Sequence, residues 1–129
     1  MERLFLILAG AYGLLGVGLG AFGAHAVRGR LADLSDGARR LEWWQTAAQY
    51  HLVHALALGL AAYVAARAPG PVATAAGFCF AGGVLLFSGS LYTMTLTGVR
   101  GLGAVTPFGG LLLLVGWLCV MISAVRLTA

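Results

Sequence analysis

Four stretches of this chain, residues 4–27, 43–66, 68–99 and 101–125, contain no charged side chain. Each exceeds the roughly 20 residues that a helix needs to cross about 30 Å of hydrocarbon. At that depth no water satisfies the backbone, so a helix, which bonds its own peptide groups, is the form these runs take. Composition agrees, with 60% hydrophobic and 9% charged residues and a mean hydropathy of +0.93. A soluble domain carries about 25% charged residues. The expectation is an all-α polytopic membrane protein, a single domain over 1–129 in contact with the lipid bilayer. Four transmembrane helices, about 4–26, 43–66, 72–97 and 106–126, would form an antiparallel bundle. Pro69 and Pro71 set the third start near Val72, and Thr106-Pro107 has the cap-then-proline pattern that opens the fourth.

The first span imitates a secretion signal, since Arg3 precedes it and Ala24-His25-Ala26 fits a small-residue cleavage site. Glycines 10, 13, 16, 18, 20 and 23 interrupt its apolar stretch and argue for a retained helix. Gly13, Gly16 and Gly20 share one helical face, and small faces let helix backbones approach in lipid. Gly109 and Gly116 repeat the device on the fourth span. These five glycines are read as packing positions, with self-association into a homo-oligomer expected.

Between the first two spans, residues 28–42 form the one substantial polar segment. Leu31, Leu34, Ala38 and Leu41 fall on one helical face, which predicts a short amphipathic helix lying in the interface. Trp43 and Trp44 would follow at headgroup level, where tryptophan is enriched.

The net charge is +4 and every base is arginine. So few charges suit headgroup anchoring and give no nucleic-acid surface. Arg28, Arg30, Arg39, Arg40 and Arg100 lie on the long-loop side, against Arg3, Arg67 and Arg126 on the other. That bias predicts a cytoplasmic long loop with both termini outside. Cys79 and Cys119 lie in apolar runs without metal-ligand spacing and read as small hydrophobes.

Polar residues concentrate in one leaflet. His25 ends the first span; Gln49, Tyr50, His51 and His54 open the second; Ser88 and Tyr92 close the third; Thr106 starts the fourth. The opposite half holds only scattered polar residues, Tyr12 among them. Intramembrane polar groups need a partner or a function. Two readings follow: a hydrogen-bond network that fixes helix pairing, or a binding or proton-handling site that opens toward the long loop.

Four motifs carry a resemblance. They are Gly20-Ala21-Phe22-Gly23-Ala24-His25-Ala26; Tyr50-His51 followed by His54-Ala55-Leu56-Ala57-Leu58; Phe87-Ser88-Gly89-Ser90-Leu91-Tyr92; and the segment 103–110 around Thr106-Pro107. Together they resemble the uncharacterised domain-of-unknown-function family four-twenty-three, small UPF-type membrane proteins with a mitochondrial transmembrane relative. The resemblance implies a four-helix bacterial inner-membrane protein. It implies no activity and supplies no ligand residues.

No intramembrane carboxylate, Ser-His-Asp set or His/Glu metal triad is present, so no catalytic residue, metal ligand or cofactor is assigned and a non-enzymatic role is expected. A structural or assembly role leads. The first alternative is binding or transport of a small molecule, a lipid or protons by the histidine cluster, its ligand unknown. A second is haem or metal binding, which needs imidazoles from facing helices such as His25 with His51 or His54.

Overall fold

The computed structural model describes residues 1–127, so the last two positions of the expected 1–129 domain lie outside the described residues. Every regular element among the described residues is helical. Helix α1 (Glu2–Phe22) passes through one π-helical turn (Gly23–Val27) into the short α2 (Arg28–Leu31). Then come α3 (Gly37–Arg67), α4 (Pro71–Thr97) and α5 (Thr106–Ala124), with a 3-10 turn, Arg100–Ala104, ahead of α5. Pro71 occupies the first turn of α4, where its missing N–H costs no bond. Gly98 ends α4 in the left-handed region at φ 74°, its N–H returning to the Met94 carbonyl.

The expected interfacial helix over 28–42 does not form. Residues 28–31 continue the first helix, residues 37–42 belong to α3, and a tight turn at 32–36 joins them. Asp33, Ser35, Asp36 and Gly37 are turn formers, and they outweigh the helical periodicity of the neighbouring leucines. Gly37 is required there, because a methyl group on it would fall on the Leu31 carbonyl.

Three segments are long and apolar enough to cross a membrane: Glu2–Leu31, Pro71–Thr97 and Arg100–Ala124. Helix α3 is the exception, yet it is extensively covered. It packs against α1 on one side and α4 on the other, and α5 packs on α4. The helices form an open row, across which α1 leans its side chains onto α4. Phe5 fills the notch at Gly77, and the Tyr12 hydroxyl donates to the Ala81 carbonyl at 3.1 Å.

Small residues make these contacts close. Ala57, Ala61, Ala62, Ala73 and Ala76 are buried around Phe5, Leu58, Phe80 and Leu113. In lipid the tails are as apolar as the side chains, so dispersion at close range is what such packing gains.

Among the expected packing glycines, Gly16 rests against Leu52, Gly109 against the Phe87 backbone and Gly116 against Phe80. Gly13 and Gly20 do not pack within the chain, and a side chain at either would meet nothing. Gly23, which falls on the same small-residue face as Gly16, is a close-packing position too, as are Gly77 and Gly83 on α4.

Candidate functional site

The polar residues of α3 divide by face. Gln49 and Tyr50 are exposed, whereas His51 and His54 are buried. The two histidines do not form one cluster, because they turn toward different grooves.

His54 is fully engaged. Its Nδ1 lies 2.7 Å from the Tyr50 carbonyl, and its Nε2 lies 3.2 Å from the Trp117 indole nitrogen. A carbonyl only accepts and an indole only donates, so the ring carries its proton on Nδ1 and is neutral. His54 thereby joins α3 to α5. Beside it lies a groove of about 550 Å³ lined by Tyr50, Phe87, Pro107, Gly110, Leu114 and Trp117. Tyr50 stacks on Phe87 at its mouth, ring centroids 4.5 Å apart.

His51 is different. It is 6% exposed, its Nδ1 is 3.4 Å from the Tyr92 hydroxyl, and its Nε2 has no hydrogen-bond partner. The Tyr12 backbone carbonyl lies beside the imidazole. The Tyr12 ring meets the imidazole edge-on at 5.5 Å. Gly16 leaves room on α1 for the ring and for Leu52. His51, Tyr12 and Tyr92, with Ser88 and Gly89, line a crevice of about 160 Å³ between α1 and α4.

Most of the remaining polar groups end on backbone carbonyls, while the buried Ser123 hydroxyl has no partner among the described residues. Ser88 Oγ donates to the Ala47 carbonyl at 2.8 Å, across the α3–α4 contact. Thr95 Oγ1 lies 2.9 Å from the Leu91 carbonyl and 3.0 Å from that of Arg40, its one proton shared between them. Ser90 Oγ donates to the Phe87 carbonyl at 2.9 Å and accepts from the Thr106 hydroxyl at 2.7 Å. Trp44 Nε1 donates to the Leu19 carbonyl at 2.8 Å, with its indole filling the notch at Gly23. Trp44 is 2% exposed, so it is an interior residue and not a headgroup anchor.

His25 is exposed on the π-helical turn. The bis-imidazole pair that a haem would need is therefore not assembled, since His25 points outward and His54 has both nitrogens in use. Among the described residues no three His, Cys, Asp or Glu side chains converge as metal ligands.

Four contributors escaped the sequence reading: Tyr12, assigned to the opposite half; Trp44, read as interfacial; Trp117; and Arg40. For the first two a signal existed, because each lies opposite or beside a glycine that clears space for a ring.

At the turn end, Arg40 Nε lies 3.0 Å from Asp36 Oδ1 and an Arg100 guanidinium nitrogen 3.6 Å from Oδ2. The Arg40 guanidinium, with Arg100 adding to it, holds the Asp36 carboxyl below the usual range. The Arg40 head also lies against Gly98, placing a cation at the negative end of α4.

These features define an all-helical membrane protein whose interior polar groups mostly tie helix to helix. Residues 19–110 match the family described as Protein of unknown function (DUF423), and the chain belongs to that family. It is 41% identical over 125 residues to the UPF0382 membrane protein YwdK of Bacillus subtilis, covering 96% of this chain and 98% of that one. It is 40% identical over 124 residues to the UPF0382 membrane protein SH2409 of Staphylococcus haemolyticus, covering 96% and 97%. No solved structure matches.

Proposed function

We propose that this protein is a four-span antiparallel bundle with a structural or assembly role, non-enzymatic and self-associating, in a bacterial cytoplasmic membrane. One observation carries the reading: most of the interior polar side chains make interhelical hydrogen bonds. Ser88, Trp44, Tyr12 and Thr95 each donate to a carbonyl of another helix, and His54 bridges two helices. Such bonds are worth about 0.6–2 kcal/mol each in membranes and fix register. A serine whose hydroxyl is committed to a carbonyl is not poised as a nucleophile.

The fourth span is α3. Its polarity is compatible with spanning because its polar face is covered by α1 and α4, while its lipid side carries Val53, Leu56, Leu60 and Tyr63. The antiparallel order is supported by contacts that run in opposite directions, Gly16 with Leu52 and Gly23 with Trp44.

Self-association is supported by the face of α1 that the chain leaves open. Gly13 and Gly20, seven positions apart on one side of the helix, have nothing within 4 Å of a would-be side chain. In a variant lacking Cys79 and Cys119, a single Gly13→Cys or Gly20→Cys is expected to give crosslinked dimer in native membranes. Monomer alone at both positions contradicts self-association through this face.

A further inference from the structure

We propose that the groove at the turn end of the bundle, between α2, the start of α3 and the end of α4, binds the headgroup of an anionic phospholipid. Arg30 and Arg40 would hold the phosphate, and the acyl chains would leave over Leu34 and Leu96.

Three observations lead there. First, the groove is cationic. It holds about 350 Å³ and is lined by Val27, Arg30, Leu31, Leu34, Arg40 and Leu96, with no acidic residue among them. Asp36 faces Arg40 from the turn, at 3.0 Å from Nε, but Arg100 shares that carboxylate at 3.6 Å. Arg30 joins no ion pair among the described residues. Two guanidinium groups therefore divide one carboxylate and a third has none, which leaves the groove net positive. Arg40 Nε is buried and, although paired in charge with Asp36, makes no hydrogen bond. The Arg40 head is held in place between Asp36 and Gly98, so one cation stands ready before a ligand arrives. A guanidinium presents its N–H groups in a planar fork that matches two oxygens of a phosphate.

Second, the depth is that of headgroups. Helix α4 has 27 residues and is about 40 Å long, roughly the thickness of a bilayer with its polar layers. Leu96 is the last but one residue of α4, and Leu31 closes the Glu2–Leu31 segment. The groove thus lies where two spans meet the polar layer, and basic pockets between membrane helices take up anionic headgroups there.

Third, the apolar part selects a lipid over a free anion. Val27 and Leu31 form a buried floor, while Leu34 and Leu96 are 45% and 54% exposed on the rim. A bare phosphate gains nothing from these leucines; a phosphate that carries acyl chains covers them.

The test uses the full chain in maltoside micelles, with bound lipid counted by native mass spectrometry. The probe is dioleoyl phosphatidylglycerol, and dioleoyl phosphatidylcholine is its zwitterionic counterpart with the same chains. Phosphatidylglycerol is expected to bind about twenty-fivefold more tightly, about fivefold for each of the two arginines. Arg30 is exposed and unpaired, so Arg30→Gln keeps the fold and should cut that preference to about fivefold. Arg28→Gln removes the same charge from the neighbouring groove on the other side of Leu31 and should leave the preference intact. Equal affinity of the wild type for the two lipids overturns the proposal. So does an unchanged preference in Arg30→Gln, or an equal loss in Arg28→Gln, which would mean a diffuse surface charge. Displacement of phosphatidylglycerol by inorganic phosphate at equal concentration would make the site one for the free anion and overturn the lipid assignment.

Discussion

The histidines three positions apart on α3 have different hydrogen-bond states, and each state has its own consequence. His54 accepts from Trp117 and donates to the Tyr50 carbonyl, so a proton added to Nε2 would displace the indole. Trp117→Phe removes the donor and is expected to cost about 0.5–2 kcal/mol in thermal or denaturant unfolding in micelles. The double variant His54→Leu with Trp117→Phe should cost less than the sum of the single changes. Strict additivity in that cycle would mean the bond contributes nothing. Ser88→Ala should be milder, under about 1 kcal/mol, because the Ala47 carbonyl keeps its place within α3 after the hydroxyl is gone. The sequence placed His51, Ser88 and Tyr92 in one candidate set, and the structure does bring them to one crevice. It could not separate His54 from them. At 3.6 residues per turn the two histidines differ by only about 60°, and which groove each enters is decided by Trp117 and Tyr12, on helices far away in the chain.

Helix α1 and the π-helical turn that follows it carry glycines of two kinds. Gly23 receives the Trp44 indole and Gly16 the Leu52 side chain, whereas Gly10 and Gly18 face outward. Gly23→Ala should destabilise the fold by about 1–3 kcal/mol through overpacking. Gly10→Ala and Gly18→Ala should be neutral or stabilising, by up to about 1 kcal/mol, since alanine is the better helix former. Losses of equal size at all three positions would contradict the assigned contacts. Glycine spacing alone did not distinguish the two kinds, because a lipid-facing glycine and a notch look alike until the opposing ring is known. The turn between α2 and α3 adds a pH-dependent element. Asp36 has its folded pKa below the ordinary 3.8 because Arg40 and Arg100 face it. A depressed carboxylate pKa stabilises the fold fully above the unfolded value, and that gain is lost as pH falls through the folded one. The stability difference between wild type and Asp36→Asn should therefore be constant near neutral pH. It should shrink only below about pH 4. A difference that persists unchanged at lower pH would show that the carboxylate charge is not what holds this turn.

On the scale of the molecule, the helix with the most polar side chains is well covered by its neighbours, and the helix with the most glycine is the barest. Helix α3 hides His51, His54 and Trp44 between its neighbours, while α1 buries only Phe5 and Gly16. Uncharged runs pointed to four long helices, and the described residues form four, with α3 beginning six residues ahead of its run. The way they lie side by side was not readable, because in lipid apolar faces do not declare their partners by hydropathy. Arginine distribution is the remaining guide to orientation. The turn at 32–36 lies between Arg28 and Arg30 on one side and Arg39 and Arg40 on the other, with Arg100 paired to Asp36 nearby. The α3–α4 connection at 68–70 has Arg67 alone. Positive residues are retained on the cytoplasmic side, so we propose that the 32–36 turn lies inside and the termini outside. Single cysteines at Ser35 and Pro69, in the background without Cys79 and Cys119, test this with a membrane-impermeant maleimide on intact cells. Labelling at position 69 and protection at position 35 until the cells are broken is the expected result. The reverse pattern would invert the topology, and labelling of both positions in intact cells would mean that α3 does not cross the membrane.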